Sequence, residues 1–197
     1  GAQLFSHTFF HVSANDARLM DPQQRLLLER GYVALHASGM TKLQLHGRAV
    51  AVCVGAWASE FGRYMHDAMD ALRPGAAADP SCAMTCGRIS FALGLHGPCM
   101  SIDTACSSSL VAAHCSLNAL RRHECDPSLS AGVNMMLSVD VMNRAAVAGL
   151  TSAVGRSCTF DVRADGYARG EATTAITYRP GSRVDRAADP IVVSGSA

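Results

Sequence analysis

The strongest candidate for chemistry in this chain is Cys106, within the segment DTACSSSL at residues 103–110. Residues 100–104 before it have the short apolar pattern of a strand, and residues 107–122 after it have the pattern of a helix. A strand that passes into a helix within two residues places the cysteine on a sharp turn. Unpaired N–H groups and the partial positive charge of a helix N-terminus stabilise a thiolate there. The spacing therefore indicates a nucleophile.

A thiolate at such a turn suits attack on a thioester carbonyl. The helix dipole contributes about 0.3–2 kcal/mol. The backbone N–H of Cys106 would lie where the oxyanion forms, and one such donor contributes about 3 kcal/mol in other enzymes. The alternative is that Cys106 is a small buried residue that happens to precede a helix, which is the commoner role of a cysteine. The turn alone leaves both interpretations open.

Other elements must position this turn. Residues 48–55 form an apolar run typical of a strand buried on both faces, which indicates a parallel or mixed sheet. Asp21 and Pro22 are expected to begin a helix as its cap and first residue. The apolar side of that helix is predicted to contain Leu26, Leu27, Val33 and Leu35. The helix after Cys106 is expected to run through the core, and its predicted apolar stripe consists of Leu110, Val111, His114, Leu117 and Leu120.

The remaining segments alternate in type along the chain. Helices are predicted at residues 81–93 and 139–150, strands at 129–137, 173–178 and 191–194, and loops at 71–80 and 157–171. Strands that alternate with helices and end in paired strands indicate a layered α/β fold.

The composition excludes several classes of protein. Hydrophobic residues make up 49% of the 197 residues and charged residues 17%, which is the opposite of a disordered chain. The net charge is +1, and the basic residues do not cluster, so nucleic acid is not expected as a partner. No apolar stretch is long enough to span a membrane. No secretory signal is recognisable, and the expected location is cytoplasmic.

The eight cysteines are interpreted as thiols of a reducing compartment. Cys53 lies in an apolar run and Cys115 in a helical pattern, as expected of small buried residues. Cys82 and Cys86 form a C-x3-C pair, but no second pair follows at the spacing of a zinc finger. No metal site is therefore predicted.

Four segments resemble the ketosynthase (β-ketoacyl synthase) domains of modular type I polyketide synthases and their fatty acid synthase relatives. They are residues 9–29 with FF…DPQQRLLLE, residues 87–98 with GRIS…GP, residues 103–110 with DTACSSSL, and residues 159–171 with TFDVRADGYARGE. They occur in the family's order and span nearly the whole chain. The resemblance to polyketide synthases is closer than that to thiolases or chalcone-type synthases.

The resemblance implies a thiolase-like fold, of which this chain holds mostly the N-terminal half: a mixed sheet, flanking helices and a buried helix after the nucleophile. It implies that Cys106 accepts an acyl chain from an acyl carrier protein, whose phosphopantetheine arm delivers it. A malonyl-type extender thioester then loses CO2, and its enolate attacks the acyl-cysteine to give a 3-oxoacyl thioester, as in polyketide or fatty acid biosynthesis. The domain itself is expected to bind no cofactor.

The resemblance also assigns other residues. Phe160 is expected near the acyl pocket, and the strand at 100–104 resembles the one that pairs across the family's homodimer interface. Asp103, Arg163, Asp165 and Glu171 are expected to hold loops, because carboxylates and arginines in loops commonly cap turns and pair with each other.

The chain departs from the family mainly by what it lacks. The family's two catalytic histidines lie in HGTGT-like and NxGH-like motifs, which are absent here, and its opening glycine-rich strand is also absent. Residues 1–197 are therefore interpreted as a partial ketosynthase domain that is inactive in condensation by itself. Two alternatives stay open: a truncated, non-catalytic module for dimerisation or scaffolding, and a thiolase-fold enzyme that acts on coenzyme A esters.

Smaller departures from the family's usual residues are Gly87, where the family usually has Asn, Cys99 for a usual Ser, and Ala172 for a usual Gly.

Overall fold

Four strands form one mixed sheet in the order β2-β1-β3-β4. The computed structural model describes residues 4–57, 59–62 and 81–181. The strands are β1 (Ala51–Ala56), β2 (Cys99–Ile102), β3 (Ser128–Asn134) and β4 (Ala172–Tyr178). The predicted α/β class is therefore confirmed. The loop predicted at 71–80 and the strand predicted at 191–194 lie outside the described residues.

Strand β1 occupies the centre of the sheet, and all six of its residues are buried, as its apolar run predicts. It runs parallel to β2, with Cys53 opposite Met100, and parallel to β3, with Cys53 opposite Ser130. Strand β4 runs antiparallel to β3, with Ser128 opposite Tyr178. Because parallel strands end at the same edge of a sheet, the residues that follow β1, β2 and β3 meet there, which is where open α/β sheets bind ligands.

The helices cover both faces of this sheet. They are α1 (Ala14–Leu19), α2 (Pro22–Ala37), α3 (Lys42–Leu45), α4 (Cys82–Leu93), α5 (Ser108–Arg121) and α6 (Val139–Val147), with a 3-10 turn at Ala105–Ser107. Helix α2 begins as predicted, because the Asp21 carboxylate accepts the N–H of Gln23 at 2.7 Å. Within the described ranges, no helix combines the length and apolar character needed to cross a bilayer.

The apolar side predicted for α2 is correct only in part. Leu27 and Leu35 are fully buried, and Leu26 is half-buried. Val33 is 54% exposed, so its predicted place in the core is wrong. The helix instead faces the sheet with Leu28 and Gly31, and an added Cβ at Gly31 would lie 3.2 Å from a Leu129 methyl. The missing side chain lets α2 pack closely on β3.

Helix α5 packs on the sheet through small residues and not through its large apolar ones. Its buried residues are Ser108, Ala112, Ser116 and Ala119. The predicted stripe is wrong, since Leu110 is 73% exposed, His114 is exposed and Val111, Leu117 and Leu120 are half-buried. Small side chains at successive turns let the helix backbone lie directly against β1 and β3, and this close approach decides which face is buried.

Candidate active site

Cys106 lies in the tight turn between β2 and α5. Strand β2 ends at Ile102, the 3-10 turn runs over Ala105–Ser107, and α5 begins at Ser108. Ala105 has a φ of 53°, a left-handed conformation that is uncommon for a residue with a side chain. Such conformations cluster at functional sites because the surrounding structure must hold them. The predicted sharp turn is thus present, with its strained residue immediately before the cysteine.

Hydroxyl groups on both sides of Cys106 hold this turn. The Ser108 hydroxyl donates to the carbonyl of Ala105 at 2.7 Å and accepts the N–H of Thr104 at 2.8 Å. The Ser107 hydroxyl donates to the Thr104 carbonyl at 2.9 Å. Ser108 is 6% exposed, so water competes little for its bonds. The serines of the DTACSSSL segment therefore fix the backbone that carries the cysteine.

The Cys106 side chain is exposed and lies at the wall of a cavity of about 920 Å³. Cys106 follows strand β2 closely and lies just before the N-terminus of helix α5, as the sequence predicts. The interpretation of Cys106 as a buried residue is therefore wrong, since its side chain is exposed at the cavity wall.

The cavity forms where the carboxyl ends of the three parallel strands meet. Residues following β1 and the turn after β2 form one side, and α6 and the loop before β4 form the other. The lining residues are Gly55, Ala56, Trp57, Ser59, Glu60, Ala105, Cys106, Ser108, Ser109, Gly132, Val133, Asn134, Val141, Arg144, Ala145, Leu150, Tyr167, Ala168, Arg169, Gly170, Ala172 and Thr174. Most of these groups are small or apolar, which suits an acyl chain better than a charged ligand.

Two glycines let the strands approach the start of α5. A Cβ added to Gly55 would lie 2.4 Å from the N of Ser109, and one added to Gly132 would lie 2.8 Å from the Cβ of Ser109. Both distances are far inside van der Waals contact. Because these positions have no side chains, the N-terminus of α5 can lie close to the sheet. The same packing fixes the distance of Cys106 from the sheet.

Glu60 braces the opposite side of the cavity. Its carboxylate accepts the N–H of Leu137 at 2.8 Å and that of Ser138 at 2.7 Å, directly before α6. It also pairs with the Arg169 guanidinium at 3.7 Å, and both side chains are about one-tenth exposed. The sequence analysis missed this arrangement, because residues 60, 137 and 169 meet only in the folded chain.

The loop residues that were expected to act structurally do so. The Asp161 carboxylate accepts two bonds from the Arg163 guanidinium, at 2.9 and 2.8 Å, and these bonds lower the pKa of Asp161. Asp165 accepts the N–H of Ala153 at 3.2 Å, and Glu171 accepts that of Met136 at 2.8 Å. Asp103 likewise accepts the N–H of Ala105 at 3.0 Å.

Phe160 does not line the cavity described above. Its side chain is fully exposed, and its φ is 65°, so this residue also adopts the left-handed conformation. The structure therefore does not bring Phe160 and Cys106 together within the described residues. Its place near an acyl pocket stays a prediction.

No histidine lines the cavity among the residues that the structure describes. His114, two turns along α5 from the cysteine, is exposed and bonds to the Asn118 amide at 2.8 Å. In the same described ranges, no three His, Cys, Asp or Glu side chains are grouped as a metal site requires. The groups around Cys106 thus hold its thiol at the cavity wall, but within the described ranges they offer no second acid or base of the histidine type.

Comparison with known proteins gives a family match over residues 1–179, to the family described as Beta-ketoacyl synthase, N-terminal domain. Among curated relatives, a cyclo-acetoacetyl-L-tryptophan synthase of Aspergillus oryzae is 40% identical over 175 residues, which are 89% of this chain and 4% of that protein. A phenolphthiocerol/phthiocerol polyketide synthase of Mycobacterium tuberculosis is 36% identical over 195 residues, which are 98% of this chain and 13% of that protein.

Solved structures give the same result. The ketosynthase from module 6 of the bacillaene synthase of Bacillus subtilis 168 matches with a TM-score of 0.81 and 32% identity, covering 91% of this chain and 30% of that one. An oxazolomycin ketosynthase domain of Streptomyces albus JA3453 matches with a TM-score of 0.81 and 31% identity, covering 90% and 31%. The thiolase-like fold expected from the sequence is therefore confirmed, and the chain spans about a third or less of these relatives.

Proposed function

Because the chain belongs to the β-ketoacyl synthase family and its relatives are polyketide synthases, we propose that Cys106 accepts the acyl chain in a ketosynthase reaction. The observation that carries this proposal is the placement of Cys106: an exposed thiol on a strained strand-to-helix turn, at the wall of a mostly apolar cavity. We propose its backbone N–H as a donor to the oxyanion that forms at the same point.

The proposed reaction has two covalent steps. The Cys106 thiolate first attacks the thioester carbonyl of an acyl chain held on the phosphopantetheine arm of an acyl carrier protein, and the carrier thiol leaves. A malonyl-type extender then loses CO2, and the resulting enolate carbon attacks the carbonyl of the acyl-cysteine. The carbon–carbon bond forms as the carbon–sulfur bond to Cys106 breaks, which returns the thiolate and gives a 3-oxoacyl thioester. The domain needs no cofactor of its own for these steps.

The second step needs groups that this chain does not bring to the cavity within its described residues. The family resemblance implies two catalytic histidines in later motifs, and we propose that the rest of a complete domain supplies them. Several large apolar side chains are exposed here, among them Leu110 on α5 at 73% and Val147 on α6 at 90%. Such surface is expected to be covered by further protein, which supports the interpretation of residues 1–197 as a partial ketosynthase domain.

The proposed partners follow from the same reaction and from the sheet. The acyl carrier protein and the extender thioester must both reach Cys106 from the open side of the cavity. Strand β2 is one of the two edge strands among the described strands, with β4 at the other edge, and Met100 on β2 is 38% exposed. An uncovered strand edge can pair with a second copy, so we propose a homodimer through β2. The proposed location is cytoplasmic, where the thiols stay reduced.

A second candidate is a truncated, non-catalytic ketosynthase module that acts in dimerisation or scaffolding. The absence of a histidine from the cavity lining, within the part of the chain that the structure describes, favours it. The retained and accessible Cys106 is the observation against it, since a scaffold has no use for an exposed thiol on a strained turn.

The test is acyl loading of the complete natural polypeptide, followed by intact-protein mass spectrometry. We expect transfer from an acyl carrier protein thioester to add one acyl group, which Cys106→Ser abolishes and Cys158→Ser leaves unchanged. A loaded protein that also forms a 3-oxoacyl product with malonyl carrier protein supports the condensing enzyme, and one that loads but never condenses supports the scaffold. Loading from acyl-coenzyme A and not from the carrier protein would instead identify a thiolase-fold enzyme of a different substrate class. No loading at Cys106 from either donor would refute the proposal.

A further inference from the structure

Two hydroxyl groups lie at the wall of the cavity that also contains Cys106. Ser109 is on α5, three residues after the cysteine, and Thr174 is on β4, opposite Gly132 of β3. Both residues line the cavity, and both are exposed. The two serines before Ser109 use their hydroxyls to hold the turn, but the hydroxyls of Ser109 and Thr174 bond to no other residue within the described part of the chain. The fold thus does not use their hydrogen-bonding capacity.

Gly132 leaves a gap between the two hydroxyls. A Cβ added to this glycine would lie 3.6 Å from the Oγ of Ser109 and 3.7 Å from the Oγ1 of Thr174. Both oxygens therefore lie around one point of the cavity wall, and a small polar group that enters the gap can contact both. Most other groups of the lining are small or apolar. The cavity thus suits a ligand that is apolar over most of its length and carries one polar group.

The gap lies about one helical turn from the cysteine. Cys106 and Ser109 are three residues apart, and side chains with this spacing in a helical turn lie on the same side with their Cβ atoms about 5–6 Å apart. In an acyl chain on the sulfur of Cys106, the oxygen of a 3-hydroxyl is four bonds from that sulfur, a span of about 5 Å at ordinary bond lengths. A hydroxyl on the third carbon of the chain therefore has the reach to meet the Ser109 hydroxyl.

We propose that Ser109 and Thr174 recognise a hydroxyl on the third carbon of the acyl chain that Cys106 accepts. This inference rests on the proposed acylation of Cys106 and names the class of its acyl substrate. The chain hydroxyl accepts a bond from one of the two protein hydroxyls and donates a bond to the other, because a hydroxyl can do both. The rest of the chain meets the apolar part of the lining, to which Val133 and Leu150 belong.

The selectivity follows from what a saturated chain does to the same two residues. A chain without the 3-hydroxyl displaces solvent from Ser109 and Thr174 but offers them no bond, which is unfavourable for both polar groups. Because the two residues are exposed, solvent recovers part of this loss. We expect a preference for the 3-hydroxyacyl chain of about tenfold, the effect of one or two neutral hydrogen bonds.

The experiment measures acylation of Cys106 in the complete natural polypeptide by intact-protein mass spectrometry, with Cys106→Ser as the check of the acylated residue. Butyryl and 3-hydroxybutyryl groups are presented on the same acyl carrier protein, and the two 3-hydroxy epimers are tested separately. The measured quantity is the ratio of the acylation rate constant for the better epimer to that for butyryl, which we expect to be about ten. A purely structural disturbance changes both rate constants together and leaves this ratio unaltered.

Ser109→Ala and Thr174→Val each remove one hydroxyl, and we expect each to lower the ratio severalfold. Thr173→Val is the matched control. Thr173 is the neighbouring threonine on β4, it does not line the cavity, and successive side chains of a strand point to opposite faces. The control should therefore keep the ratio of the unmodified protein. Ser109 and Thr174 lie on different elements, so either variant alone carries the test, and circular dichroism checks that each is folded.

Three results would count against the inference. Equal acylation by butyryl and 3-hydroxybutyryl chains would overturn it and leave the proposed function intact. A preference that survives both substitutions would also overturn it, because other groups would then bind the hydroxyl. Acylation of Cys106 by neither chain would refute the proposed function, and the inference with it.

Discussion

The packing of α5 against β1 predicts a large effect from the smallest possible substitution at Gly55. In Gly55→Ala the new methyl carbon would lie 2.4 Å from the N of Ser109 and 2.5 Å from the carbonyl carbon of Ser108. Ordinary contact begins near 3.4 Å. Both neighbours are backbone atoms, so a side-chain rotation cannot relieve the clash and the start of the helix must move by about 1 Å.

The magnitude follows from that displacement. Overpacking of a well-packed interior costs about 1–3 kcal/mol, and a clash with backbone belongs at the upper end of that range. Cys106 is three residues before Ser109, so the same movement displaces the proposed nucleophile. A misplacement of about 1 Å at a reacting group costs on the order of 10²-fold in rate. We therefore expect Gly55→Ala to lower the free energy of unfolding by about 2–3 kcal/mol and to slow acylation of Cys106 by about 10²-fold.

Two measurements on the complete ketosynthase domain check this prediction: urea unfolding, and the rate of Cys106 acylation by mass spectrometry. Gly87→Ala is the matched control, because a Cβ there meets nothing within 4 Å and the residue lies inside α4. Alanine in a helix interior is favoured over glycine by about 0.5–1 kcal/mol, so the control should gain stability and keep its acylation rate. The reasoning is refuted if Gly55→Ala unfolds within about 0.5 kcal/mol of the unmodified domain, the usual effect of a surface substitution, and acylates as fast.

Three further substitutions test the surrounding structure. Glu60→Gln removes the charge that pairs with Arg169, whose side chain is 11% exposed, and should lower the free energy of unfolding by about 2 kcal/mol. An unchanged midpoint of unfolding in urea would contradict a stabilising role for this ion pair. Asp21→Ala removes the buried cap of α2 and should cost about 1–2 kcal/mol, more than the exposed cap substitution Ser13→Ala; equal losses would count against the role of burial. Arg163→Ala should raise the pKa of Asp161 towards its ordinary value in a carboxyl NMR titration, and no rise would disprove the pairing. Since the pair lowers the folded-state pKa of Asp161, its stabilisation is present above the unfolded pKa and is lost as pH falls through the folded one, so the variant's deficit should appear at neutral pH and vanish in acid.

Much of the fold follows from local patterns. The apolar run in β1, the cap at Asp21 and the strand-to-helix switch around Cys106 each depend on neighbours in the sequence, and the structure has an element at each of these positions. The structural roles expected of Arg163 and Asp103 were likewise predictable, because each bonds to a group only two residues away. The bonds of Asp165 and Glu171 reach residues 12 and 35 positions away and depend on the fold. Short-range hydrogen bonds leave a signature in the sequence that does not depend on the rest of the fold.

The buried face of α5 was not predictable in this way. Its large apolar residues predicted one face, but the helix turned Ala112 and Ser116 to the sheet and left Leu110 exposed. The deciding factor was the absence of side chains at Gly55 and Gly132, which lie on two different strands and make room for the backbone and side chain of Ser109. The spacing of apolar residues along one helix carries no information about the room that glycines on distant strands leave for it.

The sequence by itself determined the candidate nucleophile Cys106, its turn and the family, because each depends on contiguous residues such as DTACSSSL. Only the tertiary structure decided what surrounds the thiol: the cavity at the ends of three parallel strands, and the ion pair of Glu60 with Arg169 on its opposite side. These features join residues that are far apart in the chain, and their contact depends on strand order and helix height. The types of the side chains alone specify neither the order of the strands nor the distance of the helix from the sheet.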